Sequence, residues 1–335
     1  MPNLLVVTGA TGAQGSSVID ALLAANPKTP WKIRGVTRNT ASPKAQALTT
    51  RGIEMVSASF DDEESLRLAF TGATAIFAVT DFYEPFARGV GPEKCMQIEY
   101  ERGVKLARAA RDIPTLETYF WSTLPAARDL TGGEVGVPHF DAKGDIDAYI
   151  KSDAVLNPKA VLLLTGVYAS NLAFPPFTPV YSRAAKQYIL PLPANSSAHL
   201  TSLGPVTNIG VTVAGLLEYP YPEDKVPAGP KGGRYVHVTT GAYPLQEYFS
   251  KWAEIAGKGK LRVLSISLEQ YGELYGPLGT ELGLMIKFFE VAGAPRTWGT
   301  VGEGDVMVDA RELEGVKGRL VTAEEYWAQE NWDGY

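Results

Sequence analysis

Three glycines at three-residue spacing, in Thr8-Gly9-Ala10-Thr11-Gly12-Ala13-Gln14-Gly15, form the first stretch whose residue types suit chemistry. Gly9 permits a tight turn. Gly12 lets the backbone approach a pyrophosphate with no Cβ in the way, and Gly15 lets the next helix pack close to the preceding strand. A helix starting here directs unpaired N–H groups and its positive dipole end at a phosphate. Thr11, Ala13 and Gln14 complete the cradle. The spacing is GxxGxxG and not GxGxxG, and glycine-rich turns often only connect elements. The context favours a nucleotide site: Leu4 to Val7 reads as a strand, and Ser16 to Ala25 as a helix with Val18, Ile19, Leu22 and Leu23 at helical spacing. A second candidate ends the next strand, at Thr37 and Arg38. An acid there would accept from a ribose 2′-hydroxyl and repel a 2′-phosphate, and none is near. Arg38 offers a planar fork of donors to phosphate, with Lys44 adding charge. The expectation is NADP(H) over NAD(H); the plainer reading is a surface arginine at a strand end.

The elements that must hold these residues alternate. Trp31–Val36, Ile53–Ala58, Ala73–Val79, Thr118–Ser122 and Ala160–Thr165 read as further strands. Helices lie between them: Ser42-Pro43 opens one to Thr50, with Ser as cap and Pro in the first turn. Asp61 to Glu64 load the start of another with acids, as the dipole prefers. Glu93–Arg111 and Phe140–Lys151 follow. Such alternation implies an α/β fold: a Rossmann-type doubly wound parallel sheet. After Gly166 the rhythm breaks, and residues 171 to 208, rich in Pro, Ser, Phe and Tyr, show no period. Helices are expected from Thr207 to Tyr219, Pro244 to Ala256 and Leu268 to Ala292, the last interrupted near Gly276-Pro277. Strands are expected at 234–239 and 261–266, a loop at 220–233, and a final helix at 322–332 capped by Thr322 with Glu325. The division is therefore 1–166 for the nucleotide-binding sheet, with later segments returning to it at about 200–240. Residues 167–335 form a smaller, irregular α+β substrate-binding region.

Composition narrows the function classes. The chain has 335 residues, 45% hydrophobic, with a net charge of −6 and no basic block. Nucleic-acid binding would need clustered Lys and Arg. The single cysteine, Cys95, has no internal disulfide partner, which fits a reducing, cytoplasmic setting. The first apolar run is short and has no basic residues before it, so it is read as a strand and not a signal sequence, and no run reaches membrane-spanning length. His139, His199 and His237 lack partners at metal-ligand spacing, so no metal is expected.

Several segments resemble the NmrA-like family, within the atypical short-chain dehydrogenase/reductase group. They are 7–15, Val36-Thr37-Arg38-Asn39, Tyr119 to Pro125, His139-Phe140-Asp141-Ala142-Lys143, Leu164 to Asn171 and Asn208-Ile209-Gly210. The resemblance runs in order over residues 1 to about 260. It implies an NADP-binding sheet domain, a smaller C-terminal domain and a cleft between them. It does not imply one activity: some members reduce plant or fungal metabolites, and others are redox-responsive regulators. Members often carry Gly-Asp-Leu after the third strand, with the acid near the adenine. Here Ala58-Ser59-Phe60 aligns, so Ser59 replaces the acid and Phe60 is left to flank the ring. Thr80 and Asp81, ending the fourth strand, are expected to border the nicotinamide ribose.

Ordinary short-chain dehydrogenases pair Tyr and Lys four residues apart, so that one helix face holds both. Here the spacing is His139-x-x-x-Lys143. Three readings stay open: Lys143 anchors the ribose; Lys143 or His139 moves a proton; or His139 is a solvated loop residue after Pro138. Ser122 either orients a substrate carbonyl or imine or bonds only to backbone. Tyr168 is the nearest phenol available as an acid, or a packing residue. Beside the expected cleft stand Asn171 and the aromatics Phe82, Tyr83, Phe86, Phe174, Phe177 and Tyr181. They line a mouth for a large apolar ligand, or they close an interdomain core. Trp252, Trp298, Trp327 and Trp332 read as packing. The expectation is an NADP(H)-dependent oxidoreductase, monomer or homodimer, acting on a bulky hydrophobic secondary metabolite with a C=N, C=O or activated C=C bond. A pocket of that character also suits cyclisation of the reactive product after the redox step. The rival is a non-catalytic NADP(H) sensor that binds a partner protein.

Overall fold

In a computed structural model describing residues 3–25, 30–225, 232–299 and 301–333, strands and helices alternate through the first half as the pattern requires. The order is β1 (Asn3–Val7), α1 (Ala13–Ala24), β2 (Trp31–Thr37), α2 (Pro43–Thr50), β3 (Glu54–Ser57), α3 (Glu63–Phe70), β4 (Ala75–Ala78), the one-turn α4 (Tyr83–Phe86), α5 (Pro92–Arg111), β5 (Thr118–Thr123), α6 (Ala127–Leu130), α7 (Pro138–Ser152) and β6 (Ala160–Thr165). There follow β7 (Val167–Tyr168), β8 (Val180–Ser182), β9 (Gln187–Leu192), β10 (His199–Gly204), α8 (Thr207–Glu218), β11 (Arg234–Val238), β12 (Gly241–Pro244), α9 (Leu245–Ile255), β13 (Leu261–Ser265), α10 (Leu268–Ala292), α11 (Ala294–Thr297), β14 (Val306–Asp309) and α12 (Ala323–Trp327). Local signals account for the ends. Ser42 caps α2, and the Asp62 carboxylate accepts from the Glu64 and Ser65 amides at the start of α3.

Among the described residues the largest sheet has eight strands in the order β14-β11-β6-β5-β4-β1-β2-β3, every pairing parallel. β4 and β6 are buried along their whole length, as a sheet covered on both faces demands. The strand order reverses at β1, and the loops after β1 and β4 open at this switch point, where such folds bind ligands. β14, at 306–309, lengthens the sheet in a region where the sequence shows no strand signal. Residues 171–208, expected to lack regular structure, instead contain two 3₁₀ turns and the strands β8, β9 and β10. These strands are three to six residues long and belong to two separate three-stranded sheets, so no long period betrays them. Residues 226–231 of the expected 220–233 loop lie outside the described part. The last helix, expected over 322–332, stops at Trp327; its capping box between Thr322 and Glu325 is present.

Two features lock the sheet to its helices. α1 and α8 pack so closely that a Cβ on Gly210 would lie 2.0 Å from the Ser17 carbonyl oxygen. Asp147 of α7 is buried and accepts from Trp121 Nε1 (2.8 Å), Thr123 Oγ1 (2.9 Å) and the Tyr235 hydroxyl (3.1 Å), joining α7 to β5 and β11. Burial pushes its carboxyl up to about 7 against these donors.

Two outcomes follow for stability. Gly210→Ala forces the helices apart and should cost about 1–3 kcal/mol in urea unfolding. His237, on β11, buries an Nε2 that no described residue partners, and burial holds its ring at about 4, below the ordinary 6.5. The unfolded chain takes up that proton first, so the contribution of the neutral ring is complete above about 6.5 and lost as pH falls towards 4. The urea midpoint should drop across that window, and His237→Leu should flatten the drop.

Candidate functional site

The glycine turn follows from backbone constraint. Gly9 has φ +58°, and a Cβ on Gly15 would lie 2.3 Å from the Gly9 carbonyl oxygen. The strand-to-helix turn closes only with glycine at both places. Gly12 is the N-cap of α1, no side chain caps the helix, and Ala13 and Gln14 open it. A cavity of about 220 Å³ adjoins the turn, lined by Gly9, Thr11 and Gly12 on one side and by Thr37, Arg38, Ser59 and Phe60 on the other. Asp61, Asp81, Glu84 and Arg102 close it. Arg38, largely exposed, donates to Glu84 at 3.1 Å. Glu84 also pairs with Arg88 (3.0 Å) and Arg102 (3.1 Å), and Arg102 forks onto Asp61 at 2.8 and 2.9 Å. The Arg102 hydrogen bond holds the Asp61 carboxyl below its ordinary range. Glu84 is also lowered: desolvation opposes the shift, and the bonds from Arg102 and Arg38 outweigh it.

A second, larger cavity of about 1030 Å³ begins at Gln14. Gln14 Nε2 donates to the Tyr168 hydroxyl at 2.7 Å, and Gln14 Oε1 is buried with no partner among the described residues. The loop 83–92 supplies Tyr83, Phe86 and Val90 to one wall. The segment 165–177 supplies Tyr168, Asn171, Phe174 and Phe177, and α10 supplies Tyr275, Leu278, Leu282 and Met285. Ser122 and Leu124 at the end of β5, and His139, Phe140 and Lys143 on α7, complete the lining. Tyr83, Tyr168, Asn171, Phe174 and Phe177 thus stand where the sequence reading put them. Phe82 does not: its ring is buried behind the wall, 5.4 Å from Tyr83 and 5.8 Å from His139. Tyr181 is half exposed on β8, away from the cavity, and Trp298, read as packing, reaches its lining.

The polar residues of this cavity are mostly tied to one another. Lys143 Nζ donates to Glu99 Oε1 (2.9 Å) and to Thr80 Oγ1 (2.9 Å), and its contact to the Thr80 carbonyl is 3.5 Å. Thr80 in turn donates to Glu99 at 2.7 Å, so it lies inside this network. His139 is no solvated loop residue. It stands in the first turn of α7 with its ring buried, and its Nδ1 lies 2.7 Å from Glu281 Oε1, on α10. Burial pushes the Tyr168 phenol up to about 12 despite the Gln14 bond. Burial, then the Glu281, Glu99 and Asp81 charges, raises Tyr83 well above the ordinary value.

Sequence reasoning missed Glu99, Glu281, Glu84 and Arg102. Two carried a signal: Glu99 falls on the stripe Cys95, Glu99, Gly103, Leu106, and Glu281 on Leu278, Glu281, Leu282, Met285, each acid on an apolar helix face. Among the described residues no cluster of three or more His, Cys, Asp or Glu could hold a metal, and no helix is long and apolar enough to cross a membrane.

Comparison with known proteins gives a consistent picture. The oxidoreductase ptmS of Penicillium ochrochloron, described as containing an NmrA-like family domain, is 31% identical over 172 residues, covering 51% of this chain and 49% of that protein. The chain thus spans about half the length of this curated relative. Citrobacter sp. triphenylmethane reductase, crystallised with NADP(H), shares the fold at a TM-score of 0.67 and 18% identity over 97% of this chain and 99% of that one. So does NmrA, a negative transcriptional regulator crystallised with NADP, at 0.69 and 18%, over 98% and 95%. The NmrA-like family model matches residues 1–326, and the chain belongs to the NmrA-like family.

Proposed function

We propose that this protein is an NADP(H)-dependent oxidoreductase acting on a bulky, largely apolar small molecule, of the secondary-metabolite kind, that carries a C=N, C=O or activated C=C bond. The observation that carries this is continuity. Gln14, which lines the 1030 Å³ cavity, stands two residues after Gly12 of the smaller one, so an extended ligand lying along the turn would reach both compartments. The residues fit a dinucleotide on three counts: Gly9 takes a positive φ and Gly15 admits no Cβ, Gln14 Oε1 is a buried acceptor with no donor among the described residues, and Arg38 follows β2.

A bound reduced nicotinamide supplies hydride; this chain's residues bind, orient and exclude water. The start of α1 holds the pyrophosphate, and Arg38 exchanges Glu84 for the 2′-phosphate. Arg38, Arg88 and Arg102 stand against Glu84, Asp61 and Asp81, so the charges are matched, and the phosphate gains Arg38 only by displacing Glu84. Ser59 and Phe60 flank the adenine. Lys143 keeps two donors on Glu99 and Thr80 Oγ1 and offers the third, loosely used at 3.5 Å, to a ribose hydroxyl. Ser122 orients the reacting bond from the end of β5. The elements of 167–335 that lie outside the large sheet act as the substrate-binding part. Their apolar wall keeps water from the reaction and suits ring closure of a reduced product. A second reading, an NADP(H) sensor that regulates a partner protein, draws support from the engagement of Lys143 by Glu99 and Thr80. A sensor must bind NADPH and NADP⁺ with different affinity.

Calorimetry tests the cofactor. NADPH should bind about 10–100-fold more tightly than NADH, and Arg38→Ala should remove most of that preference, as expected for charged hydrogen bonds of about 1.5–3 kcal/mol. Absence of heat with NADPH would end the proposal. NADPH consumption across aryl ketones, cyclic imines and enones tests turnover. For a substrate found this way, Phe86→Ala should raise KM about three- to tenfold with a smaller change in kcat, because the lost apolar contact serves ground and transition state alike. No consumption across the panel, with unequal NADPH and NADP⁺ affinities, would favour the sensor.

A further inference from the structure

We propose that His139 and Glu281 form the acid–base pair of this site: His139 Nε2 exchanges the proton with substrate, and Glu281 fixes the tautomer. The inference rests on the oxidoreductase reading above. Glu281 Oε1 accepts the His139 backbone N–H at 3.1 Å and lies 2.7 Å from Nδ1. An oxygen that takes the amide N–H is an acceptor, so Nδ1 is its second donor. The neutral ring then carries its proton on Nδ1 and leaves a lone pair on Nε2. No described residue partners Nε2. His139 belongs to the cavity wall and Glu281 does not, so the imidazole stands between the carboxylate and the ligand space. Phe140 at 4.7 Å and Tyr83 at 5.4 Å hold the ring edge.

The other proton carriers in this cavity are less suited. Tyr168 and Tyr83 are pushed up by burial and are weak acids near neutrality. Lys143 is bound by Glu99 and Thr80. The titratable groups around the pair are Tyr83 from α4, Lys143 on α7, and Glu99 and Cys95 on α5; Tyr83 and Cys95 both feel the Glu281 and Glu99 charges. Hydride from the reduced nicotinamide, which gives up two electrons, forms a C–H bond at a neutral carbonyl carbon. The π pair moves to oxygen, and oxygen takes the Nε2 proton of the imidazolium. The ring is left neutral beside the Glu281 carboxylate, and a proton taken up from solvent regenerates the imidazolium, so the net reaction consumes one hydride and one proton. A cationic iminium carbon needs no such proton, because hydride alone makes the neutral amine.

That difference separates a proton-handling role from a structural one. With NADPH, acetonaphthone requires the proton and N-methyl-dihydroisoquinolinium does not. Glu281→Gln should lower the ratio of ketone to iminium turnover about a hundredfold, within the range for general acid catalysis. An unchanged ratio overturns the pair. Nitrogen NMR of histidine-labelled protein, which has only three histidines to assign, reads the tautomer without turnover. Neutral His139 should carry its proton on Nδ1, and Glu281→Ala should move it towards Nε2. A wild-type Nε2–H ring overturns the pair, and this measurement stands even if the alanine variant fails to fold. If the wild type reduces neither probe while the Nδ1–H ring is seen, the oxidoreductase reading falls, and the proton role with it.

Discussion

One helix carries a polar stripe, buried except at its last member, and each residue of it meets a partner on a neighbouring element. His139, Lys143, Asp147 and Lys151 recur every four residues along α7. Four residues of α-helix exceed one full turn, so the stripe winds slowly around the axis and meets a different neighbour at each step. His139 meets Glu281 on α10, and Lys143 meets Glu99 on α5 and Thr80 after β4. Asp147 meets β5 and β11 through Trp121, Thr123 and Tyr235, and Lys151 meets Asp305 at 2.8 Å. A buried charge without a partner is costly, so each contact fixes one neighbour against α7. Asp147 and Lys151 sit away from the cavity and stabilise the frame; His139 and Lys143 reach the cavity wall. The spacing that secures the sheet therefore also places two polar side chains in the cavity wall.

Much of the frame was legible because its signals are local. The glycine turn, the Ser42 and Asp62 caps and the buried apolar runs of β4 and β6 each report on a few neighbouring residues. The break in α10 was also visible, since Gly276 adopts φ +65° just before Pro277. What stayed hidden depends on residues distant in sequence. β8 to β10 are short and pair in two separate small sheets, and β14 is defined by pairing with β11. At the site, His139 and Lys143 could be named but their states could not. Their partners Glu281 and Glu99 lie 142 and 44 residues away. The apolar stripes that carry these acids show that they are buried, not what they face.

The two cavities are linked by the one-turn helix α4. Its Glu84 holds Arg38 and Arg102 beside the smaller cavity, while Tyr83 and Phe86 on either side line the larger one. A phosphate that takes Arg38 from Glu84 leaves that carboxylate with its neighbour Arg88 and with Arg102, so α4 loses its tie to the end of β2 and keeps its tie to α5. The arginine cluster and the aromatic wall thus share a short element rather than two independent loops.

The far wall is under looser constraint. α10 turns at Gly276, which places Tyr275, Leu278, Leu282 and Met285 along the cavity and Glu281 against His139. Of these, Glu281 alone is tied to α7 by a charged hydrogen bond. The apolar residues contribute area and shape, and swaps of similar volume among them cost little. Changing the wall alters which molecule fits without disturbing the parallel sheet. Changing Glu281 removes the charged contact that joins this wall to α7, so the shape of the wall and its attachment to the frame rest on different residues.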